Sequence, residues 1–467
     1  MKIVLVNLDL DYPIDFYPSK KQSIGIGYLA AVLNKQGHET IILEERFHTY
    51  REVRDSLLYT SYDVIGFSFT GFEFSKSYNE GNSLQDLFNN PVINLICDIK
   101  NHKPNQIIIL GGYSASFWDN ELLSLFPINY ILRSESEVAI VKLMDYLNSN
   151  IDISNVPNLS YTNNGVIYRN DCIALPNLND LPIPIRLKHE PSDWITINSS
   201  RGCYGQCSFC TTFSLYGEKQ ESWWRARTPK SVFDEILYLV SLGYQNFAFA
   251  EDNFIGTEPE RALNIANMII SSGIKCNFRF DCRTKDIEYG LFSAWAKAGL
   301  KRIFVGSESG SKIDLELYKK GIDAETNITG INIAKSLGVA VNAGVIMFNP
   351  LSTLETLESN INFLERIDEI PQLVQLASKL VVFKGTTIAR YFEELNIVKY
   401  PFYRYQIKDA AASWVHDEFF NYANNIINRI RTKEYRSGDT ERDFAYFPDS
   451  EHLLFFKKLI KEAKLKF

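Results

Sequence analysis

The stretch that decides the fold of this chain is SRGCYGQCSFC, residues 200–210, which follows a run typical of a β-strand. It places thiols at Cys203, Cys207 and Cys210, a spacing that one loop can wrap around a single cuboidal cluster. Thiolates are the soft ligands that iron–sulfur clusters require. Three of them leave one iron of a [4Fe–4S] cluster open to bind a substrate or cofactor. We therefore expect these cysteines to be metal ligands and catalytic residues.

Zinc is the alternative metal for such a loop. A structural zinc site closes with a fourth cysteine or histidine nearby. After Cys210 the next cysteine in the sequence is Cys276 and the next histidine is His416. The spacing therefore favours an iron–sulfur cluster over zinc. Cys276 and Cys282 fall on a predicted strand, where burial in a core explains them.

The bulk composition indicates a globular protein of about two or three domains. The chain has 467 residues, of which 45% are hydrophobic and 22% charged. No apolar run reaches the roughly 18–20 residues that span a bilayer, and the first residues predict a strand rather than a secretory signal. A net charge of −7 argues against broad binding of nucleic acid. The seven cysteines suit metal ligation in a reducing, cytoplasmic environment.

Residues 1–150 alternate apolar, strand-like runs with helix-like stretches. Strands are predicted at 2–6, 39–43, 64–69 and 106–110, and helices at 24–35 and 84–100. This alternation is typical of a doubly wound parallel sheet, whose ligand crevice lies at the carboxyl ends of the strands. We therefore predict the α/β class, with a Rossmann-like N-terminal domain over residues 1–150.

The remainder of the chain divides into a linker, a core and a cap. Residues 151–192 are rich in Asn, Asp and Pro and are predicted to link two domains. Residues 193–370 repeat strands and helices, which favours a partial (β/α)6 TIM-like barrel. Beyond residue 371 the regularity fades and aromatic residues multiply, so residues 371–467 are predicted to form a small C-terminal cap that contributes to substrate binding.

The cysteine spacing, with an aromatic residue before the last cysteine, resembles the signature of the radical S-adenosylmethionine (SAM) superfamily. Three further stretches support this resemblance, namely FAEDNF at 249–254, VGSESGS at 305–311 and GVIMFNP at 344–350. The resemblance implies that the open iron binds the amino and carboxylate groups of SAM, whose reductive cleavage yields a 5′-deoxyadenosyl radical. One cluster is expected, because the sequence holds no cysteine after Cys282.

The same resemblance implies SAM contacts in the core. Phe209 would lie near the adenine, and Glu308 with Ser309 would contact the polar groups of SAM. A carboxylate suits the ammonium group of SAM, while hydrogen-bond donors suit its carboxylate. Glu308 could equally be a structural acid that pairs with a cation at a strand end.

Three more residues have two interpretations each. Arg279 and Arg283 could bind the carboxylate of SAM, or they could pair with the acids at positions 281 and 286. Asp252 could face the substrate side of the site, but an acid between a strand and a helix often caps the helix. We carry all three as candidate SAM-side residues.

Residues 1–145 resemble the cobalamin-binding domain that precedes the radical domain in one large class of this superfamily. The similar stretches are SIGIGYLAAVLNKQGHE at 23–39, VIGFSFT at 64–70 and LGGYSAS at 110–116. One departure is at 134–137, where the frequent Gly-Glu-x-Glu of the family reads SESE. This departure leaves the shape of that loop open. The alternative is a flavodoxin-like domain that lacks cobalamin or binds a nucleotide.

Small residues at strand ends let a corrin ring approach the backbone closely. The residues implied as cobalamin contacts are Ile24, Gly25, Ser68, Thr70, Gly111, Gly112 and Tyr113. The motif Asp-x-His-x-x-Gly, which supplies a histidine ligand to cobalt in mutase-type domains, is missing, and the corresponding loop at 7–13 reads NLDLDYP. We therefore expect a bound cobalamin to lack a histidine ligand from the protein.

Together these patterns predict a cobalamin-dependent radical SAM enzyme with a [4Fe–4S] cluster, SAM and cobalamin as cofactors. The expected reaction is C-methylation, through methylcobalamin, of an unactivated carbon in a natural-product or peptide substrate. An electron donor such as flavodoxin or ferredoxin is the expected partner, with no nucleic acid and no membrane span.

Three other functions were weighed against C-methylation. The first is a radical rearrangement, cyclisation or oxidation without methyl transfer. A more remote one is a non-catalytic iron–sulfur or cobalamin sensor, for which the sequence shows no DNA-binding module. A methylthiotransferase is disfavoured, because residues 1–150 hold Cys97 and not a second cysteine triad.

Overall fold

The computed structural model describes residues 1–8, 22–45, 47–70, 87–175, 177–216, 223–368, 373–377, 379–400, 403–437 and 450–467. The described residues form two compact units. The first unit takes residues from 1–203 and 211–251, and the second takes residues from 204–210 and 252–467. The domain boundaries that the sequence suggests, at residues 150, 192 and 370, stay a prediction.

A seven-stranded sheet forms the centre of the first unit. Its strands are β1 (Lys2–Asn7), β2 (Glu39–Glu44), β3 (Val64–Ser68), β4 (Ile107–Gly111), β5 (Tyr130–Leu132), β6 (Leu159–Asn163) and β7 (Val166–Arg169). Their order is β2-β1-β3-β4-β5-β6-β7. Strands β1 to β5 are parallel, whereas β6 and β7 pair antiparallel at the edge. The order of the five parallel strands is that of doubly wound, flavodoxin-like sheets, so the predicted parallel sheet is confirmed.

Helices cover both faces of this sheet. They are α1 (Ile24–Lys35), α2 (Tyr50–Tyr59), α3 (Pro91–His102), α4 (Tyr113–Phe117), α5 (Asp119–Leu125) and α6 (Glu137–Leu147). Helix α1 packs with α6, and α2 packs with α3. The bounds of α1 are those predicted. Helix α3 was predicted to begin at residue 84, which lies outside the described residues, but it begins at Pro91 because Asn90 caps it and proline suits its first position.

The segment predicted as a linker contributes to the first sheet. Its strands β6 and β7 extend the sheet beyond β5, and Val156 and Leu159 belong to the core that α1 and α6 cover. Both side chains are fully buried. Burial of these apolar side chains stabilises the added hairpin, a role that the polar composition of the segment conceals.

Four shorter strands complete the first unit. They are β8 (Trp194–Ile197), β9 (Ser200–Gly202), β10 (Trp224–Ala226) and β11 (Asn246–Phe249), and the helices beside them are α7 (Thr211–Tyr216) and α8 (Pro229–Ser241). Strands β8 and β11 are parallel, while β9 and β10 form an antiparallel pair. The cysteine loop begins directly after β9.

The second unit continues the strand–helix repeat. Its strands are β12 (Asn277–Cys282), β13 (Leu300–Glu308) and β14 (Ala340–Val345), all parallel. Its helices are α9 (Pro259–Ser272), α10 (Tyr289–Ala298), α11 (Lys312–Leu317), α12 (Ala324–Ser336), α13 (Leu354–Arg366), α14 (Leu373–Ala377), α15 (Thr387–Glu394), α16 (Ala410–Ser437) and α17 (Ser450–Lys466). A parallel bridge between Phe348 and Lys379 follows β14. Strands and helices in this order confirm the predicted partial barrel.

The two faces of the strands in the second unit differ in burial. Phe278, Phe280 and Trp295 pack edge to face in a core from which solvent is excluded. On the opposite face of the strands, the Phe304 side chain is 44% exposed. Alternation of this kind follows from the two-residue period of a strand.

The C-terminal helices pack on one another through aromatic side chains. Phe419 of α16 contacts Phe456 of α17, and Phe456 also contacts Phe348. Helix α17 thus buries its apolar face, which includes Leu453, Phe456 and Ile460. Among the described residues, no helix is long and apolar enough to span a membrane.

Two helix-ending glycines of the second unit differ in the space around them. Gly299 and Gly273 both end helices in the left-handed conformation, with φ of 113° and 73°. A methyl group at Gly299 would collide with the carbonyl oxygen of Cys276, whereas at Gly273 it would meet no described atom within 4 Å. Gly273→Ala should cost about 1 kcal/mol of unfolding free energy, and Gly299→Ala on the order of 4 kcal/mol.

Denaturant unfolding of the two variants measures the difference. Equal losses of stability in both variants would contradict the predicted close approach at Gly299.

Candidate functional site

The three cysteines of the signature lie on the loop between β9 and α7. Gly202 has φ of 82° and turns the chain out of β9 immediately before Cys203. Cys207 is the most buried of the three thiols at 8% exposure, while Cys203 and Cys210 are half-buried. The amide of Cys210 donates to the carbonyl of Cys207 at 3.1 Å, which tightens the loop. The three cysteine thiols are the kind of ligands that an iron–sulfur cluster requires.

Ser208 fixes the second half of the loop to the second unit. Its amide donates to the carbonyl of Tyr318 at 2.9 Å, and its hydroxyl donates to the carbonyl of Leu317 at 2.7 Å. Its own carbonyl accepts from the amide of Ile388 at 2.8 Å. Phe209, the predicted adenine neighbour, packs edge to face on Tyr318 with ring centres 5.4 Å apart. The backbone of residues 207–210 is therefore held independently of any metal.

Two buried cations lie beside Cys207. Arg283 Nη1 is 3.3 Å from Cys207 Sγ, and Arg283 Nη2 donates to the carbonyl of Lys320. The Nζ atom of Lys320 is 2.9 Å from Glu308 Oε1. Burial acts to lower the pKa of Lys320, but the charges of Glu308 and Cys207 outweigh it and raise that pKa. The guanidinium of Arg283 therefore faces a thiol that must ionise to bind iron, and the same guanidinium is joined to Lys320, whose side chain pairs with Glu308.

Tyr204, the first residue after Cys203, is held by an acidic residue. Its hydroxyl donates to Asp286 Oδ1 at 2.5 Å, and Asn253 donates to Asp286 Oδ2 at 3.3 Å. Burial raises the pKa of Asp286 even though these hydrogen bonds act to lower it. Arg283 and Lys285 lie over the Tyr204 ring at 5.4 and 4.6 Å from its centre. Sequence reasoning did not identify the role of Asp286 in holding this loop.

Glu308 lies at a bulge, where the register between β13 and β14 shifts. Its φ of 65° is left-handed, a conformation that most side chains avoid. A methyl group on Gly306 would collide with the carboxylate of Glu308 and would lie 3.0 Å from Lys320 Nζ. Gly306 thus makes room for the Glu308–Lys320 ion pair. Glu308 is a paired acid, as one interpretation held, and its contact with SAM stays a prediction.

Ser309 belongs to a buried polar cluster. Its hydroxyl is 2.5 Å from Asn360 Oδ1 and 3.1 Å from Asp314 Oδ2, and it accepts from the amide of Ser311 at 2.9 Å. Asn349 donates to Asp314 at 2.9 Å. The Ser309 side chain is fully buried, so its evident role is to hold the chain after Glu308. Its predicted contact with SAM stays a prediction.

The remaining SAM-side candidates lie in two places. Arg279 is on β12, half-buried, on the opposite face from the buried Phe278 and Phe280. Asp252 is exposed in the loop after β11. The N-cap of the next helix, α9, is Glu258, so the interpretation of Asp252 as the cap of that helix is wrong. Residues 253–257 separate Asp252 from this cap.

The predicted cobalamin contacts collect at the carboxyl edge of the first sheet. Ser68 and Gly111 are register partners at the ends of β3 and β4, and the amide of Phe69 donates to the carbonyl of Gly111 at 2.7 Å. Gly112 has φ of 102°, and a methyl group there would lie 2.7 Å from the Thr70 methyl. Tyr113 begins α4, while Ile24 and Gly25 begin α1. The strand ends thus offer small residues, with Ser68, Gly111 and Gly112 partly accessible to solvent.

The loop that departs from the family pattern keeps a left-handed residue. Ser134, at the place of the usual glycine, has φ of 56°. Its amide donates to the hydroxyl of Ser116 at 2.9 Å. The loop shape that the sequence left open is therefore one that glycine would also adopt, which explains why the two acids that follow are preserved in position.

Those two acids bind the arginines that flank the cysteine loop. Glu137 accepts a hydrogen bond from Arg201 at 2.5 Å. Glu135 accepts hydrogen bonds from Nη1 and Nη2 of Arg225, each at 2.9 Å. Arg201 also lies 3.3 Å from Glu135. Burial acts to raise the pKa of Glu137, but Arg201 outweighs it and lowers that pKa. The network joins the end of the first sheet to strands β9 and β10, and sequence reasoning noted the acids without their partners.

Glu251 supports the same region from the end of β11. Its carboxylate accepts from the amides of Ser199 and Ser200, immediately before the cysteine loop. The side chain is 3% exposed. Glu251 therefore positions the start of β9. The sequence does offer a signal for Glu251, because it is an acid at a strand end within FAEDNF. The residue predicted from that stretch was its neighbour Asp252.

Comparison with known proteins agrees with this arrangement. Residues 197–364 match the family described as the Radical SAM superfamily. The 4′-phospho-dehydrooxetanocin synthase of Priestia megaterium is 26% identical over 80% of this chain and 52% of its own length. The hopanoid C-3 methylase of Methylococcus capsulatus is 24% identical over 70% of this chain and 61% of its own. The chain thus spans about half to three fifths of these relatives.

A solved structure extends the similarity to the first unit. OxsB, a cobalamin-dependent SAM radical enzyme with aqua-cobalamin and SAM bound, superposes with a TM-score of 0.74 and 21% identity. The match covers 99% of this chain and 75% of OxsB. Residues 197–364 thus form a radical SAM domain. The chain has a fold similar to that of OxsB, and its radical SAM domain implies a [4Fe–4S] cluster and SAM.

The Glu137–Arg201 pair generates a stability prediction. Glu137→Gln leaves the buried Arg201 without its closer charge partner, which should cost about 3 kcal/mol of unfolding free energy at pH 7. Because the pKa of Glu137 is lowered in the folded protein, this contribution is present above the unfolded value of 4.5 and is lost as pH falls through the lower native value. Denaturant unfolding at pH 7 and pH 4 measures both effects.

The matched control is Glu325→Gln. Glu325 also forms a two-pronged pair with an arginine, Arg366, but their side chains are 66% and 52% exposed. Solvent screens such a pair, so its loss should change stability much less. A Glu137→Gln variant as stable as the control would show that the buried network does not constrain the fold.

Proposed function

We propose that the chain binds cobalamin and C-methylates an unactivated carbon of a small-molecule or peptide substrate. The observation that carries the proposal is the presence in one chain of a radical SAM domain and a doubly wound sheet whose carboxyl edge ends in small residues. The fold similarity to a cobalamin-dependent enzyme over 99% of the chain supports it.

The strand ends of the first sheet fit the face of a corrin ring. Ser68 and Gly111 present small side chains in neighbouring strands, and Gly112 follows in a conformation that favours glycine. Backbone groups can therefore approach a flat ligand closely. Gly25 begins α1 with no described atom within 4 Å of an added methyl group. Space at these positions is what a bulky ligand requires.

The cysteine loop and its surroundings fit a cluster with SAM. When bound, the cluster with SAM supplies a 5′-deoxyadenosyl radical, and methylcobalamin supplies a methyl group that a second SAM replaces. The side chains of the protein would position these cofactors and place charged groups around them. Lys320 Nζ donates a hydrogen bond to Glu308 Oε1. The second carboxylate oxygen of Glu308 can therefore accept a hydrogen bond from an ammonium group. Phe209, fixed against Tyr318, offers an aromatic surface for adenine.

Relatives of this chain divide between two reaction outcomes. One is named a methylase and another, with higher identity, a synthase. A radical rearrangement, cyclisation or oxidation without methyl transfer is therefore the second candidate. A small-molecule substrate and an electron donor such as flavodoxin or ferredoxin belong to both proposals, so the fate of the methyl group separates them.

The cobalamin assignment makes a spectroscopic prediction. The reconstituted chain should retain hydroxocobalamin, and paramagnetic resonance of the reduced cob(II)alamin form should show no nitrogen splitting from an axial histidine, because the loop at 7–13 holds no histidine. Residues 9–13 of that loop lie outside the described residues. Nitrogen splitting that changes when the histidines of the chain carry nitrogen-15 would refute the expected lack of a histidine ligand, since splitting from the benzimidazole of cobalamin itself would not change. Failure to retain cobalamin would remove the methylation proposal.

Isotope labelling tests the reaction. With SAM that carries a trideuterated methyl group, the product should retain all three deuterium atoms, and 5′-deoxyadenosine should stay unlabelled from the methyl group. S-adenosylhomocysteine and 5′-deoxyadenosine should both accumulate. Mass spectrometry of the three products provides the measurement, with Cys203→Ala as the control that lacks a cluster ligand.

Two results would contradict the proposal. Turnover that yields 5′-deoxyadenosine without S-adenosylhomocysteine would support the rearrangement or oxidation alternative. Deuterium from the methyl group in 5′-deoxyadenosine would mean that the radical attacks the methyl group of SAM itself.

A further inference from the structure

The surroundings of Cys207 differ from those of a thiol that merely ligates a metal. Arg283 directs a guanidinium nitrogen at its sulfur from 3.3 Å. The Lys320 side chain is 4% exposed and pairs with Glu308 at 2.9 Å, and the Lys320 carbonyl accepts a hydrogen bond from the same arginine. Arg283 is 7% exposed. One buried positive charge contacts a ligand sulfur and a second is joined to it through the backbone, an electrostatic feature that the cysteine spacing does not require.

We propose that Arg283 and Lys320 act through Cys207 to raise the reduction potential of the [4Fe–4S] cluster. Both are positioning residues, because they contact a ligand sulfur or its surroundings and not the reacting atoms. The proposal requires the cluster assignment and does not depend on whether the chain methylates its substrate.

The physical reason is the change of charge on reduction. One electron from a low-potential donor makes a thiolate-ligated cluster more negative by one charge, and no bond has to break. Hydrogen bonds to the ligand sulfurs and nearby cations stabilise the reduced form more than the oxidised form. The interaction is strong where water is scarce, because charge–charge energies increase as the effective dielectric constant falls.

The position of Arg283 is fixed on three sides. One nitrogen donates to the sulfur of Cys207, another donates to the carbonyl of Lys320, and the guanidinium lies over the Tyr204 ring with 5.4 Å to its centre. A guanidinium held in this way loses little orientation when the charge on sulfur changes. Such preorganisation makes its effect on the potential larger than that of a mobile cation.

Lys285 provides an internal comparison. It lies over the same Tyr204 ring, 4.6 Å from the centre, but its side chain is exposed. Water and salt screen an exposed charge. Lys285 should therefore contribute little to the potential although it is near the same loop, which makes it a matched control for burial.

The experiment is a redox titration of the reconstituted cluster. Wild-type chain and the variants Arg283→Gln, Arg283→Lys, Lys320→Gln and Lys285→Gln are reconstituted anaerobically, checked for about four irons per chain, and titrated with dithionite. The titration omits SAM, cobalamin and substrate, and paramagnetic resonance of the reduced cluster reports the fraction reduced.

Arg283→Gln and Lys320→Gln should each lower the ratio of reduced to oxidised cluster at least tenfold at the wild-type midpoint, which is about 59 mV for one electron. Arg283→Lys should recover part of the loss, because it restores the charge without the fixed hydrogen bond. Lys285→Gln should stay within twofold of wild type.

Clear results would overturn the proposal. Loaded Arg283→Gln and Lys320→Gln chains with the wild-type midpoint would refute it, as would an equal shift in Lys285→Gln. If Arg283→Gln fails to hold four irons, Lys320→Gln alone decides, since it leaves the hydrogen bond to sulfur intact. A wild-type chain without a cluster would refute both proposals, whereas shifted potentials without methyl transfer would leave this one standing.

Discussion

The constraint on which this structure depends is the concentration of thiols in the loop at 203–210. Iron binding requires each thiol to lose its proton, and burial of the resulting negative charge is costly without compensation. The chain compensates in two ways. Ser208 fixes the backbone through neutral hydrogen bonds, and Arg283 with Lys320 supplies positive charge at the most buried thiol. Geometry and charge are therefore provided by different residues, and each can change without the other.

The first unit meets a related constraint with a buried ion network. Arg201 and Arg225 lie on the strands that flank the cysteine loop, and Glu135 and Glu137 neutralise them. Buried ion pairs contribute little net stability compared with apolar packing, but the loss of one partner is costly. Separation of β9 and β10 from the edge of the first sheet would therefore break these buried ion pairs and destabilise the folded protein.

Local signals predicted most of the fold because they act within a few residues. The start of α8 follows from Thr228, which caps it, and from proline at its first position. The hairpin of β6 and β7 was missed, since its polar surface hides the few apolar residues that attach it to the sheet. The role of Glu251 was missed for another reason. Its hydrogen bonds to residues 199 and 200 join distant parts of the chain, and a single sequence carries no record of such contacts.

Glu308 affects both the backbone geometry and the charge near the cysteine loop. A left-handed backbone at a strand bulge places its carboxylate beside Lys320, so the acid offsets part of the positive charge that faces Cys207. Gly306 leaves the space in which this pair forms. Because the same carboxylate is the predicted partner of a ligand ammonium group, its charge would be shared between that ligand and Lys320. A cation bound at Glu308 would reduce the share that offsets Lys320, and the positive charge acting on Cys207 would increase. With the predicted ligand contact at Glu308, the bulge would link occupancy of the ligand site to the electrostatic environment of the cluster ligand through a single side chain.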